Sequence, residues 1–182
     1  MMINTNEKVR EMGVLLAQDS ELTPYFNLIK TKKLDFSVES LKEVDKYLNE
    51  VRKKKLTEDE LKKIVLRCGT YLGEVIIRNR PENFKWITRD EAKLPDFFAK
   101  DLTTAFVLLK KSKEMLFPLA KAYKFIENGK DDSLWIFGMY ALDIPSKRIA
   151  IFQLRPVKKT KKKKVAQKLK AVKTFINHAK SS

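Results

Sequence analysis

The chain of 182 residues has few of the side chains that most often carry chemistry, with one cysteine (Cys68) and one histidine (His178). A single cysteine excludes an internal disulfide and suits a reducing compartment, so a cytoplasmic location is expected. A Cys–His or Ser–His mechanism needs a base held against its nucleophile by a third group, and zinc needs more ligands than one of each. His178, four residues from the C-terminal residue, is a poor candidate base. Five glycines and six prolines are too few for a low-complexity chain or for a sandwich built on many tight turns. Gly69 and Gly73 stand four apart in a helical pattern with no Lys-Ser/Thr after them, so no phosphate loop is present. The longest apolar stretch, 134–142, is about half of what spans a bilayer, and the N-terminal residues lack the signal-peptide pattern. No cofactor is expected.

Acidic residues are also missing from one whole region. The last acid is Asp143, and residues 147–182 hold thirteen Lys or Arg. That stretch supplies +13 of the net +16, whereas residues 1–146 hold 26 basic and 23 acidic side chains. A nearly balanced body is therefore joined to a cationic end, which suits polyanions or an acidic protein face.

What is present reads as an α+β domain over 1–156 and a basic helix or tail over 157–182. Residues 4–18 fit a helix, with Val9, Met12, Leu15 and Leu16 on one side. A second helix is expected over 36–54, capped by Ser37, with Leu41, Val44, Leu48 and Val51 as its stripe. Thr57-Glu58-Asp59-Glu60 is a capping box opening a third helix that runs through Ile76. The short link 53–56 makes the second and third helices an antiparallel hairpin. Gly69 and Gly73 each cost about 1 kcal/mol against alanine, which implies another backbone passing close.

From Phe84 the period changes to two. Strands are expected at 84–88, 103–109 and 115–117, the last two joined through 111–113, making a small antiparallel sheet. Pro118 opens a helix that Asn128-Gly129 stops. Asp131 or Asp132 is placed as the cap of a short helix through Leu142, which Pro145 ends. A strand over 147–154 and a C-terminal basic amphipathic helix over 161–180, with Val165, Leu169, Val172 and Ile176 as its seam, complete the pattern.

Leu34-Asp35-Phe36-Ser37, Ser40-Leu41, Val44-Asp45-Lys46-Tyr47-Leu48, Gly69-Thr70-Tyr71-Leu72-Gly73-Glu74 and Trp86, followed by the segment 118–134, resemble a group of small uncharacterised bacterial α+β domains. Their pattern is LDxSxxSLxxLDxxL, then GxYLGE, then W. The resemblance covers about residues 34–140. It implies a bacterial source and a compact fold without an assigned activity. Some small bacterial domains of this general kind neutralise toxins, a role that the resemblance places on no particular residue.

Asp35, Asp45, Tyr71, Glu74 and Trp86 are the motif residues that could form a recognition surface. The plainer alternative puts Asp35 in a turn, Asp45 on the outer side of its helix and Glu74 in a pair with Arg78. Glu91-Ala92-Lys93 after Asp90 invites comparison with metal-dependent nucleases, but such a triplet arises by chance in a Glu- and Lys-rich chain. Phe97, Phe98, Phe106, Phe117, Phe125, Trp135, Phe137 and Tyr140 are expected in the core. Lys158, Lys159, Lys161, Lys162, Lys163, Lys164, Lys168, Lys170 and Lys173 are the candidate contacts to a polyanion or acidic partner. Without interleaved aromatics they would grip phosphate and not read bases. Membrane adsorption is less favoured, because the helix expected over 161–180 lacks Trp and has Phe175 as its one large aromatic. Two functions follow: a non-enzymatic protein-binding module, toxin neutralisation being one form, or a nucleic-acid-associated protein working through its lysine-rich end.

Overall fold

Helix α3 (Glu58–Asn79) is the element against which the helices Thr5–Gln18, Pro118–Asn128 and Leu134–Ala141 pack. The computed structural model describes residues 5–18, 23–96 and 101–145, all within the unit Met1–Ser146. In chain order the elements are α1 (Thr5–Gln18), α2 (Leu41–Val51), α3, β1 (Phe84–Thr88), β2 (Phe106–Lys110), β3 (Met115–Leu116), α4 (Pro118–Asn128) and α5 (Leu134–Ala141). The architecture is α+β. The expected strand over 147–154, the basic helix over 161–180 and the nine lysines lie outside the described residues, as do Phe97 and Phe98.

The capping box forms as read. Thr57 Oγ1 accepts the Glu60 N–H at 3.2 Å, while Glu60 Oε2 accepts the Thr57 N–H at 2.8 Å. Three acids in that first turn complement the helix dipole. From Ile64 to Ile76 nearly every α3 residue is buried, so the helix is enclosed on most sides. Gly69 and Gly73 explain how. A Cβ at Gly69 would stand 2.6 Å from the Leu119 Cα, so the α4 backbone does pass there. At Gly73 the close neighbour is the Trp86 indole, 2.0 Å from a Cβ built there, and not a backbone.

Helix α2 starts five residues later than expected. Phe36 has φ +62°, a left-handed conformation outside the right-handed region that helical residues occupy. Ser37 still caps, but it caps the 3-10 turn Val38–Ser40 that leads into α2. The helix also stops at Val51, short of Lys54. Arg52 leaves it to donate from Nε and Nη2 to the carbonyls of Ile126 and Glu127, both at 3.1 Å, and so closes the C-terminal end of α4. Helix α2 lies closest to α4 and α5.

The sheet order is β1-β2-β3, antiparallel throughout, with Trp86 opposite Leu108 and Leu108 opposite Leu116. Residues 102–104 form a 3-10 turn and not the start of β2, because the Asp101 carboxylate accepts the Thr103 N–H at 2.8 Å. Trp86 points to α3. On the opposite face Ile87 and Val107 form a smaller core with Ala92 and half-buried Leu94, Leu109, Met115 and Phe117. Phe125 is buried, Trp135 and Phe137 are half-buried, and Tyr140, expected in the core, is 48% exposed. Among the described residues no helix is long and apolar enough to cross a membrane.

Candidate functional site

Glu74 projects from α3 where α1 crosses it. Gly13 of α1 permits the crossing, since a Cβ there would meet the Glu74 Cγ at 2.6 Å and the Thr70 carbonyl oxygen at 2.9 Å. The Glu74 side chain is 2% exposed. Its Oε1 accepts the Trp86 indole N–H at 3.0 Å. Its Oε2 is buried without a hydrogen bond, and two guanidinium groups face it. Arg10 Nε from α1 is 3.8 Å away and Arg78 Nε, one turn along α3, is 3.5 Å away. These residues line an open cleft of ≈ 610 Å³, walled by Ile77 and Pro81, with Glu7 also in its lining.

A second cluster braces the same region from behind. The Phe36 N–H donates to Tyr71 Oη at 3.1 Å, and Asn79 Nδ2 donates to the Phe36 carbonyl at 3.1 Å. Ser40 Oγ donates its one proton to the Ser37 carbonyl, so in its 2.8 Å contact with Tyr71 the phenol is the donor. Burial pushes the Tyr71 phenol above its ordinary range. The Phe36 ring lies 4.9 Å from the Tyr71 ring and 3.5 Å from the Arg78 guanidinium carbon. A bulky residue at positive φ is costly, and here both backbone groups and the ring are held. The brace fixes the face of Arg78 while its edge turns toward Glu74.

The motif residues are therefore brought together only in part. Tyr71, Glu74 and Trp86 are buried, so the five do not make one exposed surface. Asp35 is in a turn, accepting from Ser37 N–H at 3.0 Å and Ser37 O–H at 2.6 Å, which holds its carboxyl below the usual range. The expected Glu74–Arg78 pair is present and shared with Arg10.

Asp45 is not on the outer side of its helix. Its Oδ2 accepts the Ser133 hydroxyl at 2.5 Å and its Oδ1 accepts the Leu134 N–H at 2.8 Å. Burial raises its pKa despite those bonds. Helix α5 is thus capped by Ser133, which accepts the Ile136 N–H at 3.1 Å, with Asp45 behind it. Asp131 and Asp132 do not cap it. Asp132 instead takes Lys121 Nζ at 2.7 Å and Asn128 Nδ2 at 2.6 Å.

Glu91 closes the turn after β1, accepting the Thr88 N–H at 2.6 Å, and that bond lowers its pKa. Cys68 is buried, and burial pushes its thiol up. Among the described residues no three His, Cys, Asp or Glu side chains group as metal ligands.

Arg10 and Gly13 are the site residues that the sequence reading missed. Gly13 carried a signal, for it interrupts an apolar helical pattern as Gly69 and Gly73 do. Comparison of the chain with family models, curated proteins and solved structures finds no match.

Proposed function

We propose that the body of this chain is a non-enzymatic protein-recognition module of the cytoplasm, with the Arg10–Arg78 cleft as its contact point. The single observation that carries this reading is an open cleft in which guanidinium groups from two helices flank one buried carboxylate. Arg10 is 66% exposed and Arg78 33%, so both present donors to a partner. The other candidate reactive groups are committed to the fold: Asp45 and Glu91 cap, and Cys68 is enclosed. Toxin neutralisation is the form of recognition to test first. The cationic stretch 147–182 adds an accessory contact to acidic surface.

Partner capture by the full chain, by a chain lacking 157–182 and by the full chain with Arg10→Ala and Arg78→Ala tests it. At moderate salt the truncated chain retains the partner and the double variant loses it. Capture lost on truncation and kept in the double variant overturns the assignment.

The thirteen basic residues of 147–182 favour a second reading, in which the same end holds a nucleic-acid backbone. If about five lysines touch phosphate, log K for duplex DNA falls with log salt at a slope near −4.5. Binding that ignores salt, or survives removal of 157–182, rules it out.

A further inference from the structure

We infer that the cleft between α1, α3 and β1 takes a carboxylate with an N–H donor beside it, the chemistry shared by a peptide C-terminus and a free amino acid. The inference rests on the protein-recognition reading and names the part of the partner that enters.

Two demands in the cleft have to be met together. Deep inside, Glu74 Oε2 is buried and accepts no hydrogen bond, while its twin oxygen is occupied by the Trp86 indole. A buried acceptor without a donor is costly, and a ligand N–H placed there removes the cost. At the mouth, Arg10 and Arg78 approach Oε2 only at 3.8 and 3.5 Å. A guanidinium has five donors in one plane. Arg78 spends its face on the Phe36 ring, which leaves its in-plane donors for an acceptor. Among the described residues Arg10 has no other partner than Glu74.

Each simpler ligand meets one demand and offends the other. An isolated anion satisfies the guanidinium groups but brings no donor to Oε2. An isolated ammonium satisfies Oε2 and is repelled by two arginines. Glu7 supplies a second carboxylate to the lining, so acids and guanidinium groups balance there, which disfavours a multiply charged anion such as phosphate. A dipolar group fits that balance. A cavity of ≈ 610 Å³ has room for one or two residues, with Ile77 and Pro81 as apolar walls.

The test follows the Trp86 indole N–H signal in the ¹⁵N-labelled full chain, with Trp135 as internal control. The probes are N-acetyl-alanyl-alanine with a free carboxylate, the same dipeptide as its amide, free alanine and acetate. The blocked acid or free alanine is expected to shift the Trp86 signal saturably, and whichever binds tighter identifies the source. The amide and acetate bind at least about tenfold more weakly, and Arg10→Ala weakens the binding acid by about tenfold or more. No saturable shift up to about 10 mM, acetate equal to the acids, or binding within about twofold of the parent in Arg10→Ala overturns the inference. Arg10-dependent capture of a protein that coincides with no response to either acid overturns this inference alone. A response to the acids with Arg10-independent capture leaves the cleft chemistry standing and removes the docking assignment.

Discussion

Two carboxylates, half-buried Asp45 on α2 and buried Glu74 on α3, sit at junctions that join distant parts of this fold. Both reach partners far along the chain, Asp45 to Ser133 and Leu134, Glu74 to Trp86 and Arg10. At the α2–α5 junction each Asp45 oxygen has a donor at hydrogen-bond distance, and the carboxylate finishes a helix end. At the α1–α3–β1 junction one Glu74 oxygen has a donor and the other does not, and it faces a cleft open to solvent. A carboxylate saturated by its own chain is architecture. One left with spare capacity beside two arginines retains affinity for something else.

The largest way to break this comparison is Trp86→Ala. It deletes the donor to Glu74 and empties the space against Gly73, so a loss of about 3–5 kcal/mol is expected in urea unfolding. Asp45→Ala comes next. It strands the Ser133 hydroxyl and the Leu134 N–H, for an expected loss of about 1–3 kcal/mol by the same measurement.

A pH series sharpens the same point. The folded-state pKa of Asp45 is raised, so its contribution to stability is present at low pH and lost as pH rises through that raised value. Asp35, Glu60, Glu91 and Asp132 are lowered, so their contributions are present near neutrality and lost as pH falls through the depressed values. Asp45→Asn removes the opposing group. Its stability deficit against the parent is expected to widen from pH 7 toward about pH 4, as read from urea midpoints; a deficit that narrows would show that Asp45 is ionised more easily than its burial implies.

The smallest effect is expected at Arg10→Ala. Its side chain is mostly in solvent and makes a long ion pair, so the change in stability stays within about 0.5 kcal/mol. A larger loss would make Glu74 as saturated as Asp45 and erase the contrast between the two junctions.

Much of the local structure was legible because its causes are local. The Thr57–Glu60 box, Pro118 at the head of α4 and Gly129 after it are each decided within a few residues. The start of β2 is missed for a local reason, the Asp101 bond to Thr103, but the other misplacements turn mainly on partners remote in sequence. Phe36 reads as a helix start until Tyr71 and Asn79 hold it at positive φ. Asp45 reads as an outward acid because Ser133 lies 88 residues away. Asp132 reads as a cap of α5 until Lys121, eleven residues back, takes one of its oxygens and Asn128, four residues back, takes the other. For the site, the sequence groups Glu74 and Trp86 in one possible motif surface with Asp35, Asp45 and Tyr71, but Arg10 gives no sign of joining them until α1 is laid across Gly13.

The Arg52 clamp has a consequence for cutting the molecule. The guanidinium belongs to the residue just after α2, yet the carbonyls it closes belong to the last turn of α4. A break placed anywhere in 53–57 would leave latch and catch on separate fragments. The two pieces would then have to reassociate before that turn resists hydrogen exchange, which makes this link a natural place to build a split version whose recombination can be timed.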